Sequence, residues 1–252
     1  MMRLLVARIK PAHGFSQFLH VGLMLLLPVV LLALVRLQGS FIGVALVLIL
    51  LSKWRMFAVR PRFWPAIIRA NAIDITIGLS AVLFMASSTS GYLQLLWMLL
   101  YAAWLLLLKP ATSTFMVAAQ AIIGQFCGLT ALYLAWSDGP LGGLILATGI
   151  ICYLSAHHFF DSFDEPYTRL LSYLWGYFGA ALSWVLGHWL LFYSVIAQPT
   201  LMLSVVGYGL AVLYYFDHKD RLSVGLRRQF LFIIIAAIVV ILTFSEWGDK
   251  VV

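Results

Sequence analysis

Apolar residues in this chain do not alternate with polar ones but run in long blocks separated by short polar breaks. Nine blocks stand out, at about 17–35, 39–54, 71–88, 91–108, 111–136, 139–160, 166–194, 198–216 and 229–245. A helix rises about 1.5 Å per residue, so about 20 apolar residues cross the roughly 30 Å hydrocarbon core of a bilayer. The blocks are too long and too uniformly apolar for barrel strands, which leaves helices as the spanning element. Most of the breaks carry turn residues, among them Gln38-Gly39-Ser40, Ser90-Gly91, Lys109-Pro110, Gly139-Pro140, Glu165-Pro166 and Gln198-Pro199. The pattern predicts an all-α, polytopic transmembrane bundle, one domain over 1–252. The first block follows a basic start, is longer than a signal-peptide core and has no small-residue cleavage site after it, so it reads as a retained helix.

Composition agrees. Of 252 residues, 63% are hydrophobic and 10% charged, with a mean hydropathy of +1.02. A soluble domain is roughly a quarter charged and could not hide so much apolar surface. A soluble enzyme, a nucleic-acid-binding module and a disordered chain are excluded on that ground.

Charge then sets the threading. With nine crossings and the N-terminus in the cytoplasm, one side holds Arg3, Arg8, Lys10, Lys53, Arg55, Arg60, Arg62, Arg69, Lys109, Arg169, Lys219, Arg221, Arg227 and Arg228. The other side holds only Arg36 and Lys250. Basic residues are retained on the cytoplasmic side, so the bias predicts N-terminus in and C-terminus out, in a cytoplasmic membrane.

Charge within the spans is scarce. Asp74 is the one acid inside a block, and with Asn71 as N-cap it reads as part of the start of the third helix. His20, Gln94, Gln120, Gln125 and His188 are the other strong polar groups, read as contacts between helices or with the interface. Cys127 and Cys152 read as packing residues. There is no Walker loop, CxxC, GxSxG or HExxH, and no cofactor is expected.

Three constellations remain. In the seventh block Ser172, Gly176 and Ala180 recur every four residues, as do Gly179, Ser183 and Gly187, giving a small-residue face that lets another backbone come close. At 157–166, HHFFDSFDEP places Asp161 about 40° from His157 and about 60° from His158 around a helix, a speculative metal trio or acid/base pair. The competing reading is a helix end followed by the Asp164 cap of the next. At 53–69, Lys53, Arg55, Arg60, Arg62 and Arg69 interleave with Trp54, Phe57, Phe63 and Trp64. Pro61 and Pro65 break any continuous helix, so this stretch is expected along the inner leaflet, binding anionic headgroups.

The function these features point to is a non-catalytic membrane component: a scaffold, partner or lipid-binding subunit. Its partners are the bilayer, anionic headgroups and a second membrane protein or copy of the chain, with no nucleic acid. A permease for an apolar or amphiphilic solute is one alternative. A lipid-modifying enzyme using His157, His158 and Asp161, with the 53–69 arginines on the headgroup, is the other.

Overall fold

The computed structural model of the protein describes residues 15–37, 41–54, 58, 60–136, 139–187, 192–193 and 196–245, with side chains from residue 21 onward except those of 192 and 193. These residues form nine α-helices: α1 (Phe15–Arg36), α2 (Ile42–Leu51), α3 (Trp64–Ser87), α4 (Gly91–Ala103), α5 (Thr114–Trp136), α6 (Leu141–Asp161), α7 (Thr168–Gly187), α8 (Gln198–His218) and α9 (Val224–Phe244). A 3-10 turn, Pro61–Phe63, precedes α3, and a π-helical turn, Trp104–Leu108, continues α4. Two residue pairs of the α7–α8 connection lie antiparallel, Phe192 with Ala197 and Tyr193 with Ile196. The protein is therefore all-helical, and seven of its helices, α3 to α9, are long and apolar enough to cross a membrane. The described apolar parts of the first two are shorter, Val21–Arg36 and Ile42–Leu51.

Proline and glycine set most boundaries. Pro65 and Pro199 occupy first-turn positions, where no intrahelical donor is lost. Ser223 caps α9 by accepting the Leu226 amide at 3.1 Å. The turns after α6 and α8 both pass through an aspartate in the left-handed region, Asp164 (φ 53°) and Asp220 (φ 52°). Aspartate visits that region more readily than most side chains.

Two expectations are corrected. The third helix begins at Trp64, not near residue 71. Asn71 and Asp74 are therefore interior to α3, Asn71 bonds the Ile67 carbonyl of its own helix, and neither caps anything. Pro65 sits where it starts a helix, so Trp64 to Arg69 belong to α3.

The chain gathers into two compact units, one up to Met116 and one from Val117. In the first, α3 packs against α4 and α2, and α1 against α4. Gly78 marks a close approach there: a methyl on it would stand 3.0 Å from both Ile49 and the Tyr101 hydroxyl. In the second unit α6 and α7 lie closest, and Leu129, Cys152 and Leu203 form a buried centre.

Candidate functional site

The first unit is tied at both ends by polar contacts. At one end Arg36, the last residue of α1, donates to the Gly91 carbonyl (3.2 Å) and to Gln94 (3.3 Å) at the start of α4. At the other end, Asp74 receives Lys53 and Lys109 on one oxygen, Lys109 at 2.7 Å, and the Trp104 indole N–H on the other at 3.1 Å. The π-turn explains how α4 delivers both groups. Five residues of regular helix would set Trp104 and Lys109 about 140° apart. Here the Lys109 amide bonds the Trp104 carbonyl at 2.9 Å, which stacks the two residues one turn apart on the Asp74 side. Burial opposes the charge on Lys109, but Asp74 outweighs it and holds the ammonium protonated above its ordinary range. Two ammoniums share one carboxylate, and each polar group has a partner, so this cluster clamps the ends of α2 and α4 onto the interior of α3.

The second unit holds an open cavity of about 730 Å³. Its walls come from Ala121, Ile122 and Gln125 of α5, from Ser155, Ala156, Phe159 and Phe160 of α6, from Leu171, Leu174, Trp175 and Phe178 of α7, and from side chains of α8 between Ser204 and Asp217. Leu222 and Arg227 complete it. Small side chains make the space: Ala121, Ala156, Gly207 and Ala211 all line it. Gly207 also admits its neighbours, since a methyl there would stand 3.0 Å from both Gln125 and the Trp175 ring. Gln125 is part of the wall, not a free group. It donates to the Leu203 carbonyl (3.1 Å) and accepts from the Trp175 indole (2.8 Å), joining α5, α7 and α8.

Leu174, Phe178, Tyr208 and Leu210 are exposed, so the cavity opens sideways between α7 and α8. The lining runs from the end of the unit where α5, α7 and α9 begin and α6 and α8 finish, and reaches past the middle of α8 at Ser204. That end is aromatic: the Tyr214 ring lies 5.2 Å from those of Phe160 and Phe163, and its hydroxyl donates to Glu165. At the rim stand Asp217 and Arg227, both exposed and of opposite sign, with no ion pair between them.

The sequence-predicted residues are placed as follows. Of the metal trio, His158 meets Gln120 at 3.2 Å, the His157 ring lies 6.0 Å from that of Tyr153, and Asp161 is exposed. None of the three lines the cavity. Among the described residues no three His, Cys, Asp or Glu side chains are grouped to hold a metal ion. Nor does His218 join them; its ring stacks on Tyr214. In the basic stretch, Lys53 is engaged by Asp74, Arg60 and Arg62 are exposed, and Arg62 lies 4.6 Å over the Phe63 ring. Arg69 is half-buried within α3, and Arg55 lies outside the described residues, as does His188.

Along α7, Ser172, Gly176, Gly179 and Ser183 are buried. A methyl on Gly176 would stand 3.0 Å from the Gly149 carbonyl, and one on Gly179 would stand 2.6 Å from the Cys152 sulfur. One on Gly149 would stand 3.2 Å from the Ala180 methyl. Ser183 meets the Tyr133 hydroxyl at 2.7 Å, and Gly187 faces Leu141. The α7 stripe is thus occupied by α6 and α5 of the same chain.

Sequence reasoning missed the cavity because its walls carry no chemical motif. The available signal was small residues at the same end of several helices, with Gly207 and Ala211 one turn apart on α8. Comparisons with protein-family models, with curated proteins and with solved structures returned no match.

Proposed function

We propose that the chain is a non-catalytic, multi-pass component of a cytoplasmic membrane that holds an amphiphile in the inner-leaflet half of its second unit. The observation that carries this reading is the cavity itself: mainly apolar along its walls, charged only at its rim, and open sideways where lipid chains would lie. From Asp217 to Ser204 is thirteen helical positions, or about 20 Å. That spans about half of a roughly 30 Å core plus the start of the headgroup zone. A pocket of this size and lining suits an apolar ligand oriented by a few polar groups. A permease needs a route to the opposite end, and an enzyme needs reactive groups at the ligand, whereas His157, His158 and Asp161 stand off the cavity.

Nine crossings with the N-terminus in the cytoplasm go with this reading. In the first unit the chain leaves Arg36 at one end of α4 and reaches Lys53 at the other. That course supports α2 as a crossing despite its ten residues. The bias of basic residues supports the orientation.

The test is to purify the protein in mild detergent, extract it and identify bound amphiphiles by mass spectrometry. Wild type is expected to retain about one in this cavity per chain, the stoichiometry its volume suits. Ala211→Phe, which sets an aromatic ring into the cavity, is expected to lower retention while keeping its melting temperature. Equal retention by both, or none by wild type, contradicts the proposal.

A further inference from the structure

The chemistry of the cavity rim says which amphiphile it suits. This step rests on the reading just given and adds the identity of the headgroup. Only two fully charged side chains line the cavity, the carboxylate of Asp217 and the guanidinium of Arg227. They stand at the same end, are exposed, and do not pair with each other. Phe160 and Tyr214 line the cavity beside them, their rings 5.2 Å apart and nearly perpendicular. Glu165 lies behind Tyr214, hydrogen-bonded to its hydroxyl.

We infer that the occupant is a zwitterionic phospholipid of the surrounding bilayer, its phosphate on Arg227 and its ammonium between Asp217 and the Tyr214 and Phe160 rings. A guanidinium fork matches phosphate oxygens, and a carboxylate beside aromatic rings suits an alkylammonium. One of the two acyl chains follows the apolar wall from Leu213 inward past Leu210 and Trp175 towards Ser204, a run about one leaflet deep, and the other stays in the bilayer at the side opening. An anionic lipid lacking an ammonium fits less well, because its headgroup would set negative charge against Asp217, with Glu165 close behind. Neighbouring cations, Lys219 and Arg221 between α8 and α9 and Arg228 within α9, do not line the cavity.

The experiment is a competition. Detergent-purified protein is exchanged with mixed micelles holding equal amounts of phosphatidylcholine, phosphatidylethanolamine and phosphatidylglycerol, then re-isolated and its lipid quantified. Wild type is expected to retain the two zwitterionic lipids over phosphatidylglycerol by about fivefold, the order expected when one charged contact is gained or lost at an exposed rim. Asp217→Lys is expected to reverse that preference, and Arg227→Glu to lower retention of all three. Both positions are exposed, so melting temperatures are expected to stay at the wild-type value. If wild type and both variants retain the three lipids in equal proportion while Ala211→Phe retains less, the headgroup assignment is overturned and the cavity reading stands. If Ala211→Phe retains as much as wild type, the cavity reading falls, and the assignment with it. Preference for phosphatidylglycerol by wild type also overturns the assignment.

Discussion

Lys109 Nζ lies 2.7 Å from the same Asp74 carboxylate oxygen that binds Lys53. The ends of α2 and α4 meet the interior of α3 at this one oxygen. Both ammoniums are partly withdrawn from solvent, with side chains 12% and 33% exposed, and Asp74 is 11% exposed. Removing the carboxylate would leave two positive charges facing each other without a counter-charge.

Asp74→Ala is therefore expected to destabilise the first unit by about 3 kcal/mol, the cost of stripping one partner from a buried pair. Lys53→Met with Asp74→Leu and Lys109→Met removes the whole cluster and is expected to lie nearer wild type, because no uncompensated charge remains. Thermal unfolding in detergent compares the two variants. A triple variant less stable than Asp74→Ala would show that the cluster does more than neutralise itself.

Gly176 faces the Gly149 carbonyl, and backbone cannot swing aside as a side chain can. Gly176→Leu is expected to force α6 and α7 apart and to cost about 1–3 kcal/mol, the range for overpacking a close contact. Gly225→Leu, at a position where an added methyl meets nothing within 4 Å, is the matched control and is expected to be neutral. Melting temperatures of the two variants give the comparison.

His157→Ala combined with Asp161→Ala is expected to leave folding and amphiphile retention as in wild type, since neither residue lines the cavity. Loss of retention at normal membrane levels would point back to chemistry at this helix end.

Asp220 holds a positive φ in the turn between α8 and α9. Asp220→Gly is expected to be neutral or slightly stabilising. Asp220→Val is expected to be destabilising by about 1–2 kcal/mol, because a β-branched residue is strained in the left-handed region. Unfolding midpoints report the sign in each case.

Much of this fold is written in the apolar blocks, because block length alone separates crossing helices from strands. The nine described helices fall on the nine blocks, yet their ends depend on chemistry that periodicity does not carry. Pro65 reads equally as a break or as a first-turn residue, and only the position of Trp64 decides between them. Asp74 looked like a cap because its partners, Lys53 and Lys109, are 21 and 35 positions away; pairing over that distance has no local signature. The His157–Asp161 spacing was legible, but its angles cannot say which neighbour each ring meets, and Gln120 meets His158. The cavity is the least legible feature: it is made by Ala121, Ala156, Gly207 and Ala211 on three helices, and small apolar residues in a span read first as packing.

The inner-leaflet position proposed for the cavity mouth depends on the threading, and cysteine labelling tests that most directly. With Cys127 and Cys152 replaced by alanine, single cysteines at Thr89, Thr112 and Gly225 are exposed to a membrane-impermeant maleimide in sealed membranes of known orientation. Thr89→Cys is expected to react from the outside, and Thr112→Cys and Gly225→Cys only after permeabilisation. Outside labelling of Gly225→Cys would put the Asp217 and Arg227 rim on the opposite face and contradict an inner-leaflet site.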